Sequence, residues 1–466
     1  MTTEDIHLVA ARVRAARAAQ EEAETWTQQR ADEVTAAVGW HCHQQEVARD
    51  IAALTVAETG LGAAADLLEI YHRKVLGVLG DLHGERTTGV VSESPGRGLR
   101  VLAKPVGVIA VICPATAPGP SVVGNALPIL KTRNAAVFSP NPRAQRTVER
   151  AVEVIRGALA DVGAPVDLVQ CLPAASRERG VELMRACDKV VSIGGAGIVR
   201  RGNESGTPAI GAGVGNPTVI VDETADLADA VARIHVGAKH NHGISCSSES
   251  NVLVHASVRR AFEDGLTALG AHLCDSQESA ALRRLLWPDG LSLNREVVGK
   301  SAAFLASAAG IRTAAEPTLL VMPCADPLVE DPMLREKLSP VLTLASYRDF
   351  GEAVETVVTL LDRCGRGHSC GLHTTRAERV TRLAARVPSC RVVVNQSTST
   401  NSGAFDSGVP FTATLAAGTW GGSSVSTNVT WREFVNYTTV SYPIPLSVPD
   451  EDEVFGPYLH AAGVAG

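Results

Sequence analysis

The chain has 466 residues, 45% of them apolar and 20% charged, with a formal net charge of -7. That length exceeds what one hydrophobic core holds, so two or more domains are expected, in a composition typical of globular proteins. The acidic balance and the lack of a basic stripe exclude a nucleic-acid footprint, and no apolar run is long enough to span a bilayer.

The N-terminal stretch MTTEDIHLVAARVRAARAAQEE is charged throughout and lacks the apolar core of a signal peptide, so a cytoplasmic setting is expected. Residues 3–80 read as helices: Val9, Val13 and Ala16 recur at helical spacing, and Gly60 and Gly62 punctuate the pattern. From Gly84 to Val106 the texture changes to alternating residues around Ser94-Pro95-Gly96, the mark of a β-hairpin arm.

Short apolar runs then alternate with helical stretches. VGVIAVICP (106–114), AAVFSP (135–140), VDLVQCLP (166–173), KVVSIGG (189–195) and TVIVD (218–222) read as strands. Ser121–Leu130 and Ala144–Val162 read as helices between them. Strand–helix alternation implies right-handed crossovers and a mainly parallel sheet. A second α/β series is expected after Ala225, with NVLVH (251–255) and RVVVNQ (391–396) as its clearest strands, and YTTVSYPIP (437–445) as a strand added to an edge.

Gly194, Gly195 and Gly197 follow a strand and open a helix. Backbone N–H groups approach an anion closely where side chains are absent, so this is the place for a phosphate cradle; a tight strand-to-helix turn explains the glycines equally well. Gly211-Ala212-Gly213-Val214-Gly215 precedes another strand and suits a close-approach loop. The ten cysteines are scattered without a CxxC pair, which argues against structural zinc and fits a reducing compartment.

Among the ten cysteines, Cys246 stands in HNHGISCSSES, a small polar loop segment suited to an exposed nucleophile, although an inert thiol is the ordinary fate of a cysteine. His240 and His242 ahead of it raise a metal reading that lacks a carboxylate before Glu249. His41, Cys42 and His43 lie in a helical stretch, where neighbours face different ways.

Eight segments occur in order: AKPVGVIAVICPATAP, LKTRNAAVFSPNPRA, VVSIGGAGIV, AIGAGVGNP, HGISCSSES, REKLSPVL, GHSCGLHT and GTWGGSSVSTN. Together they resemble the aldehyde dehydrogenase superfamily, in its CoA-acylating branch. Within that branch the resemblance is to acylating sulfoacetaldehyde dehydrogenases and to the aldehyde dehydrogenase half of bifunctional aldehyde–alcohol dehydrogenases. It covers nearly the whole chain.

The resemblance implies an α/β aldehyde dehydrogenase fold with a Rossmann-like cofactor domain (residues 1–84 and 104–225), an α/β catalytic domain (226–432) and an oligomerisation arm (85–103 and 433–447). It makes Cys246 the catalytic thiol and sets Gly194 and Gly195 beside the cofactor. Glu336 falls on the nicotinamide ribose, and His368 near the acyl-transfer site. Ser139, Pro140, Asn141 and Arg143 fall at the adenosine ribose, and Trp420, Gly421 and Gly422 in a structural loop. NADP or NAD is the implied cofactor and CoA the co-substrate. Arg143, with no acidic side chain in its loop, leans the choice to NADP. The implied partners are a small aldehyde, CoA and a second copy of the chain, as a homodimer or homotetramer, with no membrane and no resident metal.

Two positions depart from relatives. Hydrolytic aldehyde dehydrogenases place a glutamate base where this chain has Gly211, so the acyl-enzyme is expected to leave to CoA rather than to water. Acylating relatives carry an asparagine where this chain has Ala117, so Thr116, Asn125 or a backbone N–H must serve as oxyanion donor. Two alternatives follow: a non-acylating dehydrogenase using Glu249, and a catalytically impaired scaffold. For an anionic aldehyde, Arg200, Arg201 and Lys239 are the candidate cations.

Overall fold

The structure, a computed structural model, describes residues 2–461. The N-terminal region is helical as expected: α1 (Thr3–Ala23), α2 (Gln28–His43), α3 (Gln45–Thr59) and α4 (Ala64–Leu82). α1 begins in a reciprocal cap between Thr2 and Asp5, and α3 stops at Gly60, whose φ of 68° is left-handed. α4 buries Leu67, Tyr71, Lys74, Val75, Val78 and Leu82 along one stripe, with Lys74 as its charged member.

The arm is a hairpin, β1 (Gly89–Ser94) against β2 (Leu99–Pro105), turned at Pro95–Arg97. Next come β3 (Val108–Ile112), α5 (Pro118–Lys131), β4 (Ala135–Ser139), α6 (Gln145–Asp161), β5 (Val169–Cys171), α7 (Arg177–Ala186), β6 (Lys189–Ile193), α8 (Ala196–Glu204) and β7 (Ala209–Ala212). The five strands from β3 to β7 form one parallel sheet in the order β5-β4-β3-β6-β7. The order reverses between β3 and β6, so a crevice opens beyond their C-terminal ends, where such sheets take ligands.

The remaining strands are β8 (Thr218–Val221), β9 (Asn251–His255), β10 (Ala271–Leu273), β11 (Leu319–Pro323), β12 (Val341–Tyr347), β13 (Cys370–His373) and β14 (Val392–Val394), with α9 (Leu227–Lys239) between the first two. They form a second parallel sheet, ordered β10-β11-β12-β9-β8-β13-β14. Finally, β15 (Val435–Ser441) runs antiparallel along β2 and completes the arm.

Three expectations change. The run at 166–173 is not one strand: Val166–Leu168 is a 3₁₀ turn and only Val169–Cys171 extends. Arg156 Nη1 explains the break, since it gathers the carbonyls of Val166 and Val169 and the Asp167 carboxylate onto one donor. The TVIVD strand, expected in the first series, is β8 of the second sheet, paired with β9 and β13. The chain therefore changes sheets at residues 213–217, ahead of the expected boundary. The C-terminal strand starts earlier than expected and ends at Ser441.

Candidate active site

The loops at 213–217 and 240–250 meet at a cavity lined by residues from both sheets. α9 ends at Lys239, and Asn241 and His242 then take left-handed conformations, with φ of 49° and 54°. Such residues cost about 1–3 kcal/mol each and persist only when held. α4 holds them: the Asn241 N–H donates to Asp66 Oδ2 at 2.7 Å, and Asn241 Oδ1 accepts the Ala63 N–H at 2.9 Å. The kink throws the chain back into the turn that carries Cys246. Gly215 is required beside that turn, because a Cβ there would lie 1.9 Å from the Cys246 carbonyl oxygen.

A cavity of about 300 Å³ opens over Cys246. The first sheet contributes Pro114, Thr116 and Ala117 after β3, and Ile193, Gly194 and Gly195 after β6. The second contributes Cys246, Glu336 and His368. The structure thus brings together Cys246, His368, Thr116, Gly194, Gly195 and Glu336. Ser139, Pro140, Asn141 and Arg143 lie at the end of β4, outside this lining. The Arg143 guanidinium donates to the Thr59 carbonyl at 3.1 Å.

His368 Nε2 is 3.3 Å from Cys246 Sγ. His368 Nδ1 lies 2.9 Å from Ser369 Oγ, which also accepts from Asn401 Nδ2 at 2.7 Å. Asn401 Oδ1 in turn accepts the Ser247 hydroxyl at 2.7 Å, which closes a ring back to the residue beside the thiol. Arg391 fixes the backbone behind it, donating to the His368 and Ala416 carbonyls and to Asn428 Oδ1. An Nδ1–H donated to Ser369 leaves the Nε2 lone pair facing the thiol.

Burial pushes the His368 pKa down to about 3, so the ring is neutral at working pH. Burial, helped by the Glu336 charge, pushes the Cys246 thiol up to about 12, against the pull of Ser247 and Arg391. The resting group is therefore a thiol beside a neutral imidazole, not a standing thiolate.

At the end of β6, Gly194 takes φ of 153° and Gly195 caps α8, with nothing within 4 Å of the place a Gly195 Cβ would occupy. The start of α8 thus faces the cavity unobstructed, as an anionic group requires. Glu336 Oε1 accepts the Gly215 N–H at 3.0 Å, and burial raises its pKa to about 8. Lys337 next to it is buried, its ammonium donating to Ser250 O and Ser250 Oγ at 2.9 Å, and this pins the Glu336 loop to the thiol's strand.

Several residues expected at the site from sequence lie elsewhere. Asn125 does not face the cavity: it donates to Ser121 O and accepts from Thr414 Oγ1, so it is withdrawn as an oxyanion donor. Arg200, Arg201 and Lys239 do not line the cavity either. In their place α4 presents Arg73 and Lys74, which sequence reading missed. The available signal was a lysine standing on an apolar helical stripe. Ser369, Asn401, Arg391 and Lys337 were also missed.

Glu249 is buried behind the wall, accepting from Ser397 Oγ and the Thr398 N–H, with its other oxygen unpartnered. It does not line the cavity, which removes it as a water-activating base. His240 faces Glu69 and His242 Nδ1 faces the Gly299 carbonyl, so they do not gather round the thiol as metal ligands. The one grouping of potential ligands among the described residues is His272, Cys274 and Glu278 at β10, where Glu278 is already committed to capping the next helix.

A cavity between two parallel sheets, with a histidine-paired thiol on one side and a glycine helix start on the other, defines a thiol-dependent dinucleotide oxidoreductase. Comparison makes the class specific. Residues 2–275 match the aldehyde dehydrogenase family. The acylating sulfoacetaldehyde dehydrogenase of Cupriavidus necator is 38% identical over 459 residues, 98% of this chain and 93% of that one. An acetylating aldehyde dehydrogenase from Geobacillus thermoglucosidasius superposes with a TM-score of 0.92 at 30% identity, over 96% of this chain and 99% of that one. Propionaldehyde dehydrogenase of Rhodopseudomonas palustris, solved with bound propionyl-CoA, superposes with a TM-score of 0.85 at 26% identity, over 93% and 94%. The chain belongs to the aldehyde dehydrogenase family.

Proposed function

We propose that this chain converts a small aldehyde of the sulfoacetaldehyde kind, with CoA and NADP or NAD, reversibly to the acyl-CoA. The observation that carries the reading is the contact of 3.3 Å between Cys246 Sγ and His368 Nε2 at a cavity that also receives the α8 helix start. Glu336 is the sole carboxylate among the cavity-lining residues, and it sits on the Gly215 N–H. Gly211 stands where hydrolytic relatives carry the glutamate that activates water, which favours release of the acyl group to a thiol.

In this mechanism the Cys246 S–H is hydrogen-bonded to His368 Nε2, and sulfur adds to the aldehyde carbon as that proton moves off toward the substrate. That proton then goes to the carbonyl oxygen, giving a thiohemiacetal. The Cys246 N–H and Thr116 stand as oxyanion donors, with Ala117 offering none. Gly194, Gly195 and Glu336 would hold a nicotinamide dinucleotide, which would supply the hydride acceptor when bound. The hydroxyl proton leaves to solvent through the cavity as the thioester forms. CoA sulfur then attacks the thioester, and its proton passes by way of His368 to the departing Cys246 sulfur. Because burial keeps imidazolium unfavourable, each proton is passed on rather than stored.

Ser139, Pro140, Asn141 and Arg143 are assigned to the adenosine end, where exposed Arg143 suits a 2′-phosphate. The first sheet and its helices are the cofactor domain, and the second sheet is the catalytic domain. The arm serves a homodimer or homotetramer. No helix among the described residues is long and apolar enough to cross a membrane.

The test is formation of reduced nicotinamide from sulfoacetaldehyde, with and without CoA, in wild type and Cys246→Ala. CoA-dependent turnover abolished in the variant is expected. Turnover indifferent to CoA would overturn the acylating reading in favour of the hydrolytic one.

A further inference from the structure

The proposed chemistry leaves one part of the cavity unused. α4 places Ile70, Arg73 and Lys74 on its wall, and none of the three takes part in proton or hydride transfer. Lys74 is buried, and its ammonium donates to Ser402 O at 2.8 Å and Thr412 O at 2.5 Å. Two of its three protons are thereby committed, and burial lowers its pKa to about 7. It is a wall group already largely satisfied by carbonyls, and only partly charged near neutral pH.

Arg73 differs. It is half-buried, and among the described residues its guanidinium forms no ion pair or hydrogen bond. The nearest acidic candidate on its own helix, Glu69 one turn earlier, lies 3.7 Å from His240 instead. Asp66 is spent on the Asn241 N–H and Asp81 on the Phe411 N–H. No Arg73 nitrogen is among the buried unpartnered atoms of the described residues, so cavity solvent reaches the guanidinium and an anionic ligand there replaces water rather than a protein partner. Its planar fork matches the oxygens of a sulfonate or carboxylate in a bidentate pair. Lys74 adds positive potential behind it, and the cavity's carboxylate, Glu336, belongs to the cofactor side.

We infer that Arg73 is the specificity-determining residue of this site, binding the anionic end of a short aldehyde whose carbonyl meets Cys246. The inference rests on the acylating reading above and adds the residue that chooses the substrate.

The experiment compares wild type with Arg73→Gln and Arg73→Lys. It uses sulfoacetaldehyde and succinate semialdehyde as anionic substrates and propionaldehyde as the neutral one. In Arg73→Gln, kcat/KM for the anionic aldehydes is expected to fall about 10- to 100-fold further than for propionaldehyde, with KM carrying most of it. Arg73→Lys should recover part of the loss. Whichever anionic aldehyde falls further identifies sulfonate or carboxylate as the group held. Equal loss for charged and neutral aldehydes would overturn the assignment.

A second measurement needs no turnover. Isethionate should slow alkylation of Cys246 by iodoacetamide in wild type, at roughly tenfold lower concentration than in Arg73→Gln. Absence of protection in wild type would overturn the assignment even if the enzyme acylates CoA. Protection without CoA-dependent turnover would uphold Arg73 while removing the acylating reading.

Discussion

The two sides of the cavity are built by opposite means. The side proposed for the cofactor is mainly backbone: apart from Glu336, Gly194, Gly195 and Gly213 present N–H groups and empty space, beside the start of α8. The thiol side is side chain: Cys246, His368, Ser369, Asn401 and Ser247 form a closed ring drawn from three separate segments, with Arg391 and Lys337 buried behind. A backbone site tolerates loss of any one contact, because each N–H contributes little. A ring of single partners does not, because each member orients the next.

The sharpest way to break that comparison is at His368. Replacing it by Ala removes the base and leaves the thiol at a pKa near 12 without a proton acceptor. Turnover should fall about 10²–10⁴-fold. Ser369→Ala tests the ring more finely: it keeps the imidazole but frees Nδ1, so the pH profile of thiol alkylation should shift while cofactor binding does not. An unaltered profile would mean that the ring is only packing. On the opposite side, Gly195→Val should weaken cofactor binding on the order of tenfold by crowding the helix start. It should leave stability alone, since no atom lies within 4 Å of the added Cβ and φ is an ordinary -64°. A drop in kcat at saturating cofactor, with affinity intact, would contradict the division.

The same contrast explains what the sequence discloses. The strand–helix alternation and the glycine turn are local, so β3, β4, β6 and α8 could be placed from contiguous residues. Cys246, Glu336 and His368 were found because motifs carried them. Arg73, Lys74, Ser369 and Asn401 join the site only through tertiary contact, and no local pattern announces a partner 172 residues away along the chain, which is the separation of Lys74 (residue 74) from Cys246 (residue 246). β8 failed for a related reason: an apolar run of β-branched residues says that a strand is buried, not in which sheet. β7 was missed because Ala-Ile-Gly-Ala lacks that signature altogether.

Glu249 gives an effect on stability rather than on turnover, and the most informative one about cost. Burial raises its pKa from 4.5 to about 7, against the pull of Thr398 and Ser397. The folded state therefore holds a proton that the unfolded chain releases above pH 4.5. Folding stability should accordingly decline as pH rises from about 4.5 through 7 and level off above it. Glu249→Gln keeps the acceptor for the Thr398 N–H and removes the ionisation. It should be neutral at about pH 4.5 and stabilising by about 1–3 kcal/mol at about pH 8, measured by denaturant unfolding at both values. Gly237 packs directly on the unpartnered oxygen, a Cβ there falling 2.0 Å from it, so the larger Glu249→Met should lose at high pH part of what the amide gains. If Glu249→Gln destabilises equally at both pH values, the carboxylate is ionised and paired in the folded chain. The thiol side would then carry one more negative charge than the geometry of Ser397 and Thr398 accounts for.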